Sequence, residues 1–174
     1  MNATAPLNAA DLHLRAADLG DAETVVALVH DAFSEYQNVL DPPPGGLDET
    51  PDSLRAQMAA GTRVLIAEQD SVPAGCVFCT AHSDEGFVYL GRLSVSPRFR
   101  RRGIGNALLA AVEEYARALG YESTRLGTRV VLTQKQAWYE RLGYRVIAEK
   151  AHPGRPGPTY LVMEKVLAPG EARP

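Results

Sequence analysis

Cysteine is nearly absent: the chain has 174 residues and two cysteines, Cys76 and Cys79. They form a C-x-x-C, but inside Ala74-Gly-Cys-Val-Phe-Cys-Thr-Ala81, a segment that reads as a β-strand. Residues three apart on a strand point to opposite faces and lie about 10 Å apart, whereas a disulfide needs Cα atoms within about 7 Å. A redox pair would open a helix, and a zinc site would need two more clustered ligands. The sequence offers neither, so both cysteines are expected to be packing residues. Long apolar runs are missing too. No stretch reaches the roughly 18 apolar residues that a membrane span requires, and MNATAPLNAADLH lacks the basic and apolar regions of a signal peptide. The expected compartment is the cytoplasm, without a membrane partner. Excess positive charge is the third absence. The net charge is −3, whereas domains that coat nucleic acid are usually basic. A local basic patch on such a chain points to one anionic ligand. Nothing in the sequence requires a metal.

What is present is ordinary globular material: 45% apolar and 22% charged residues, in a length that fits one domain. Residues 1–10 read as a flexible tail, 11–167 as a single domain and 168–174 as a second tail. Leu12 to Ala16 alternates as a strand. Asp18 or Asp21 can cap a helix carrying Val25, Leu28, Val29, Ala32 and Phe33 on one face and ending near Tyr36. Asp41-Pro-Pro-Pro-Gly-Gly is a loop, and Thr50-Pro51-Asp52 opens a short helix with proline in its first turn. Arg63–Glu68 and Ala74–Ala81, separated by Gln-Asp-Ser-Val-Pro, read as a hairpin. After the turn at His82-Ser-Asp-Glu-Gly, Phe87–Val95 is a long strand. A helix follows, with Ile104, Leu108, Ala111, Val112, Tyr115 and Leu119 on one face and Gly120 closing it. Glu122–Val131 is mostly strand, Thr133 caps a helix through Leu142 with Gly143 closing it, and Tyr144–Lys150 and Thr159–Leu167 are the last strands. The order β, α, α, three strands, α, β, α, β, β predicts an α/β fold built on one mixed, largely antiparallel sheet of about seven strands with flanking helices. It is not the strict alternation of a dinucleotide fold.

The stretch Arg98-Phe-Arg-Arg-Arg-Gly-Ile-Gly-Asn-Ala-Leu-Leu109 carries the chemistry. Ser96-Pro97 forces an extended turn, and a helix begins near Gly103. Its first amides lack internal partners, and the helix dipole places partial positive charge there. Glycines let a ligand approach the backbone, and three arginines add charge. The combination suits a pyrophosphate. A Rossmann fingerprint would need G-x-G-x-x-G and a Walker loop G-x-x-x-x-G-K-[ST]; neither is present. A plain solvated basic turn stays open on these residues alone.

Arg100-Arg-Arg-Gly103-Ile-Gly105 resembles the [Q/R]-x-x-G-x-[G/A] motif of the GNAT superfamily of acyl-CoA-dependent N-acetyltransferases. Leu93-Ser-Val-Ser-Pro-Arg-Phe-Arg100 is similar to the strand end that precedes it there. Ala137-Trp-Tyr-Glu-Arg-Leu-Gly-Tyr144 resembles the second marker, a tyrosine four residues before a Gly-aromatic pair. The resemblance implies the GNAT fold over residues 11–167, with acetyl-CoA as co-substrate. It implies that Leu93, Ser94 and Val95 receive the pantetheine arm. Arg100, Arg101, Arg102, Gly103, Ile104, Gly105 and Asn106 would hold the pyrophosphate, chiefly by main-chain amides.

It also implies direct acetyl transfer to a small-molecule or peptide amine, with Tyr139 as proton donor to the leaving thiolate. A homodimer is common in that family. Two departures stand out. Relatives carry an asparagine near the start of the Tyr139 helix, where this chain has Gln134, Lys135 and Gln136; Lys135 is the substitute carried as a cofactor contact. Some relatives carry a carboxylate base where this chain has Tyr89, so the base is unassigned, with His82, Asp84 and Glu85 in the preceding turn as candidates through water. Arg92 reads as a contact for an acidic acceptor group or as a salt-bridged arginine. Asp41–Glu49 and His152–Tyr160 are expected to rim the acceptor site. The alternative is a non-catalytic CoA-binding regulatory module.

Overall fold

The computed structural model describes residues 12–169, so the tail expected at residues 1–10 lies outside them. Strand β1 is Leu12–Ala16, helix α1 Ala22–Phe33, α2 Pro51–Ala59, β2 Arg63–Gln69, β3 Val72–His82 and β4 Phe87–Val95. Then come α3, Ile104–Ala118, β5, Ser123–Arg129, α4, Thr133–Arg141, β6, Arg145–Lys150, and β7, Tyr160–Val166. This is the expected order. The strands lie in one sheet in the order β1-β2-β3-β4-β5-β7-β6. The β4–β5 pair is parallel, while β1–β2, β2–β3, β5–β7 and β6–β7 are antiparallel. No helix among the described residues is long and apolar enough to cross a membrane.

Contacts divide the chain into two compact units. One runs to Cys79 and takes in Arg92–Ala110; the other comprises Thr80–Gly91 and the chain from Ala111. In the first, the stripe Ala22, Val25, Val26, Leu28 and Val29 of α1 forms a cluster with Leu54 of α2, Val64 and Ile66 of β2, and Cys76 and Phe78 of β3. Each large apolar side chain buried there contributes roughly 1.5–3 kcal/mol. Val64 to Ala67 and Ala74 to Cys79 are continuously buried, as befits strands covered on both faces rather than one.

Three local expectations are revised. The β2–β3 link is two residues, Asp70 and Ser71, both at positive φ. That is the geometry a tight hairpin turn demands, and it leaves Pro73 inside β3 opposite Glu68, next to a register shift. Asp18 caps a 3-10 turn at Leu19–Asp21, sharing a capping box with Asp21, and α1 continues from that turn. Thr133 does not cap α4: it is the first helical residue, and Leu132 holds the cap position without a side-chain bond. The side-chain amide of Gln136 anchors that helix instead, donating to the carbonyls of Arg129 and Val130 at 2.8 Å each.

In the second unit β7 lies between β5 and β6. Thr124 of β5 bonds the Tyr144 hydroxyl at 2.9 Å, and Lys165 of β7 reaches both carboxylate oxygens of Glu113 on α3 at 2.8 and 2.9 Å. Gly143 takes a φ of 95°, where α4 ends and the chain turns toward β6, a backbone conformation that costs other residues more.

Candidate active site

The arginine-glycine turn is built by its neighbours on β3 and α1. A Cβ on Gly75 would lie 2.6 Å from the Ser94 carbonyl oxygen and 3.3 Å from both Ile104 and Leu108. The glycine thus lets β4 and the start of α3 sit hard against β3. Ser96 fixes the entry: its N–H donates to the Ala74 carbonyl at 2.9 Å, and its hydroxyl donates to Asp31 at 2.6 Å. Arg100 turns back onto α1, pairing with Glu35 at 2.8 Å and donating to the Ala32 carbonyl at 3.2 Å. Glu35 holds that guanidinium above its ordinary pKa. Arg98 and Arg102 lie over the Phe99 ring at 4.7 and 5.5 Å.

Beyond these anchors the backbone is exposed. Arg101 and Gly103 have φ of 60° and 77°, and Arg100 to Gly103 are solvent-accessible. A Cβ on Gly103 would meet nothing within 4 Å, so the glycine answers the backbone conformation and the space above it is open. The Ala107 amide returns to the Gly103 carbonyl at 3.0 Å. The amides of Ile104 and Gly105 belong to the first helical turn, which has no carbonyl four residues back to meet. Ile104 itself is buried, so only its main chain can serve a ligand. The turn is thus open at the start of a 15-residue helix, a setting whose backbone chemistry is compatible with an anion such as a pyrophosphate.

On β4, the ladder to β5 runs from Phe87 opposite Ser123 to Leu90 opposite Leu126, one residue short of Gly91. Arg92 has a φ of 53°, a strained setting for a non-glycine residue. It is held there by Glu49, whose carboxylate meets Arg92 Nε at 3.3 Å and also accepts from the Ser53 hydroxyl at 2.7 Å and the Gln57 amide. Glu49 is only 6% exposed, and its carbonyl oxygen lies 2.9 Å from His30 Nε2. Arg92 is thus the salt-bridged arginine of the two readings. Glu49 is the polar residue that sequence reasoning passed over inside Asp41–Glu49. Its signal was a carboxylate directly before a helix N-cap, Thr50, where the helix dipole favours negative charge. Ser94 is buried and donates its hydroxyl to the Arg92 carbonyl at 2.8 Å. Its side chain is thereby committed inward, while Leu93 and Val95 on either side are half-buried. The first unit therefore brings Leu93 to Asn106 together.

Tyr139 and Lys135 belong to the second unit. Tyr139 is 3% exposed, with its ring 4.8 Å from Trp138 and 5.8 Å from Tyr144. Burial pushes the Tyr144 hydroxyl well above its ordinary pKa, and it is bonded to Thr124. Lys135 is half-buried in the first turn of α4. The three acid–base candidates in the turn before β4 have local roles. His82 stacks on Phe87 at 4.5 Å, Glu85 pairs with Arg125 at 3.2 Å, and Asp84 is exposed beside the Ser83 hydroxyl. Tyr89 crosses toward β5: a Cβ on Gly127 would lie 2.9 Å from its hydroxyl. Burial pushes the thiols of Cys76 and Cys79 up to about 12, as expected of packing residues.

A sheet of this order with these flanking helices has known counterparts. Residues 27–144 match the profile described as Acetyltransferase (GNAT) family. The chain belongs to the GNAT family. Among curated proteins, this GNAT chain is 35% identical over 107 residues to the N-acetylaspartate synthetase of Rattus norvegicus, covering 62% of this chain and 36% of the synthetase. It therefore spans little more than a third of that relative's length. It is 32% identical over 107 residues to an IAA acetyltransferase of Azospirillum brasilense, covering 60% of this chain and 68% of that protein. Among solved structures, the PaiA N-acetyltransferase of Thermoplasma acidophilum in complex with coenzyme A superposes with a TM-score of 0.74 at 19% identity. That match covers 90% of the GNAT chain and 99% of the other. The structure of yncA from Salmonella typhimurium with acetyl-CoA gives 0.67 at 20%, covering 94% and 98%.

Proposed function

We propose that residues 11–167 form one acyltransferase domain that moves the acetyl group of acetyl-CoA onto a primary amine by direct attack, with the cytoplasm as its compartment. The observation that carries this reading is the open turn at Arg100–Asn106. The main-chain amides of Arg101, Gly103, Gly105 and Asn106 receive the pyrophosphate, and Arg100 fixes the turn through Glu35. The main chain of Leu93 and Val95 receives the pantetheine arm, with Ser94 holding the strand, and Arg102 and Lys135 add positive charge for the phosphates. Acetyl-CoA supplies an activated thioester. The acceptor nitrogen bonds to the thioester carbonyl carbon, and the C–S bond breaks as the tetrahedral adduct collapses.

Tyr139 donates its hydroxyl proton to the departing sulfur and recovers one from the new ammonium centre through solvent. A tyrosine near 10 facing a thiol near 8.5 makes the full transfer slightly uphill, so placement on α4 matters more than acidity. An alkyl amine is neutral in roughly one molecule in a few thousand at pH 7, an entry cost of about 4–5 kcal/mol without a base.

Tyr89 in place of a carboxylate favours a second reading, a CoA-binding module without turnover. Incubation with acetyl-CoA and a panel of primary amines, followed by free-thiol release, separates the two. Thiol release that depends on an amine supports the transferase; tight CoA binding with no release on any amine supports the module.

A further inference from the structure

One strained residue precedes the cofactor strand, and the first unit holds it with a buried carboxylate. Arg92 is the one residue of β4 at positive φ, 53°, a region that a residue with a Cβ disfavours. Leu93, Ser94 and Val95 follow it directly. The tether runs from Arg92 Nε to Glu49 Oε2 at 3.3 Å. Glu49 is fixed in turn. The Ser53 hydroxyl donates to Oε1 at 2.7 Å and the Gln57 amide reaches the same oxygen, which leaves Oε2 for the arginine. His30 Nε2, on α1, donates to the Glu49 carbonyl at 2.9 Å. The 3-10 turn before it, Gly45–Asp48, is packed between α1 and the guanidinium. A Cβ on Gly46 would lie 3.0 Å from Val29, and one on Gly45 would lie 3.3 Å from a terminal nitrogen of Arg92. Ser94 secures Arg92 from the other side, donating its hydroxyl to the Arg92 carbonyl at 2.8 Å. Burying a carboxylate is costly unless it is paired and hydrogen-bonded. Here the pairing over-determines a backbone conformation that does not persist without such support.

We propose that Glu49 is a positioning residue for the cofactor strand: anchored on α2, it holds Arg92 in the left-handed backbone and so sets the main-chain path of Leu93–Val95 that receives the pantetheine arm. This rests on the acetyltransferase reading and adds a residue to its cofactor site. Glu49 meets no reacting atom in this scheme and acts only through Arg92.

The test is calorimetric titration with CoA of variants at the two ends of the tether, with a thermal melt and amide hydrogen exchange across residues 90–96. Glu49→Gln keeps the volume and removes the charge. It is expected to weaken CoA binding about tenfold, the scale on which a Cβ disfavours the left-handed region. Glu49→Gln/Arg92→Gly is expected to recover most of that loss, because glycine takes the conformation without a tether. Arg92→Ala against Arg92→Gly makes the same comparison with Glu49 in place, and the alanine variant is expected to bind CoA about tenfold more weakly than the glycine variant. A role in folding alone predicts a lower melting temperature with CoA affinity unchanged in Glu49→Gln, and equal affinities for the alanine and glycine variants. Either result overturns the proposal while leaving the acetyltransferase reading standing. If the unmodified protein binds no CoA, the cofactor reading fails instead, and exchange decides the tether. Faster exchange across residues 90–96 in Glu49→Gln, with α3 unchanged, supports it; unchanged exchange overturns it.

Discussion

In the proposed mechanism Tyr139 is the residue on which the chemistry turns, and it is buried on α4 beside Trp138 and Tyr144. Tyr139→Phe keeps the ring and deletes the hydroxyl that would supply the proton. The expected outcome is a kcat lower by about a hundredfold or more, the usual weight of a positioned acid, with the KM for acetyl-CoA little changed and the melt showing that the variant is folded. Stopped-time thiol assays and a thermal melt read both. Tyr144 plays a different part, since its hydroxyl is bonded to buried Thr124. Tyr144→Phe leaves the Thr124 hydroxyl without that partner and is expected to cost about 1–3 kcal/mol of stability with a smaller effect on rate. The cysteines are expected to be inert for a physical reason: burial pushes both thiols up to about 12, and the thiolate is the reactive form. A chromogenic disulfide reagent added to the folded protein is expected to find neither thiol within minutes, and both after denaturation. Rapid labelling of the native protein would contradict the packing role.

At the scale of elements, the cradle depends on how closely α3 and β4 approach β3. Gly75 sets that distance, and Gly75→Ala would put a methyl 2.6 Å from the Ser94 carbonyl oxygen. The expected cost is about 1–3 kcal/mol of overpacking strain, with a raised KM for acetyl-CoA because Ser94 and Ile104 flank the cofactor strand and turn. Urea unfolding and kinetics measure the two effects. Most elements were legible because their signals are local. The α3 stripe, the Thr50-Pro51 start of α2 and Gly120 and Gly143 at helix ends each state a boundary within a few residues. Thr133 misled because a hydroxyl before an amphipathic run is only one way to anchor a helix. Here Gln136 reaches back to two strand carbonyls, a contact that exists only once β5 and α4 are folded. The cradle was legible for the same reason as the helices, being one continuous stretch. The partnership of Glu49 with Arg92 was not, because the two lie far apart in sequence and only the fold brings them together.

For the whole molecule, the ionisable groups set a direction for acid stability. Arg15, followed by its local backbone bond, holds Asp21 below the ordinary carboxylate pKa, and His152 is held below the ordinary imidazole value. In both cases the unfolded chain binds protons more readily, so stability falls as the pH falls. The His152 contribution is complete above about pH 6.5 and lost below it, and that of Asp21 is complete above about pH 4 and lost below it. Urea midpoints are expected to decline from pH 7 to pH 5.5 and again below pH 4, with His152→Gln flattening the first decline and Asp21→Asn the second. The central claim is that the turn from Arg100 to Asn106 binds the pyrophosphate of CoA through its backbone. Calorimetric titration of the protein with CoA and with pantetheine, which lacks the pyrophosphate, tests it directly. The expected result is saturable binding of CoA, with pantetheine weaker by about a hundredfold or more and CoA binding lost in Gly105→Glu, which places a carboxylate in the cradle. Equal binding of CoA and pantetheine, or CoA binding undiminished in Gly105→Glu, would contradict the account.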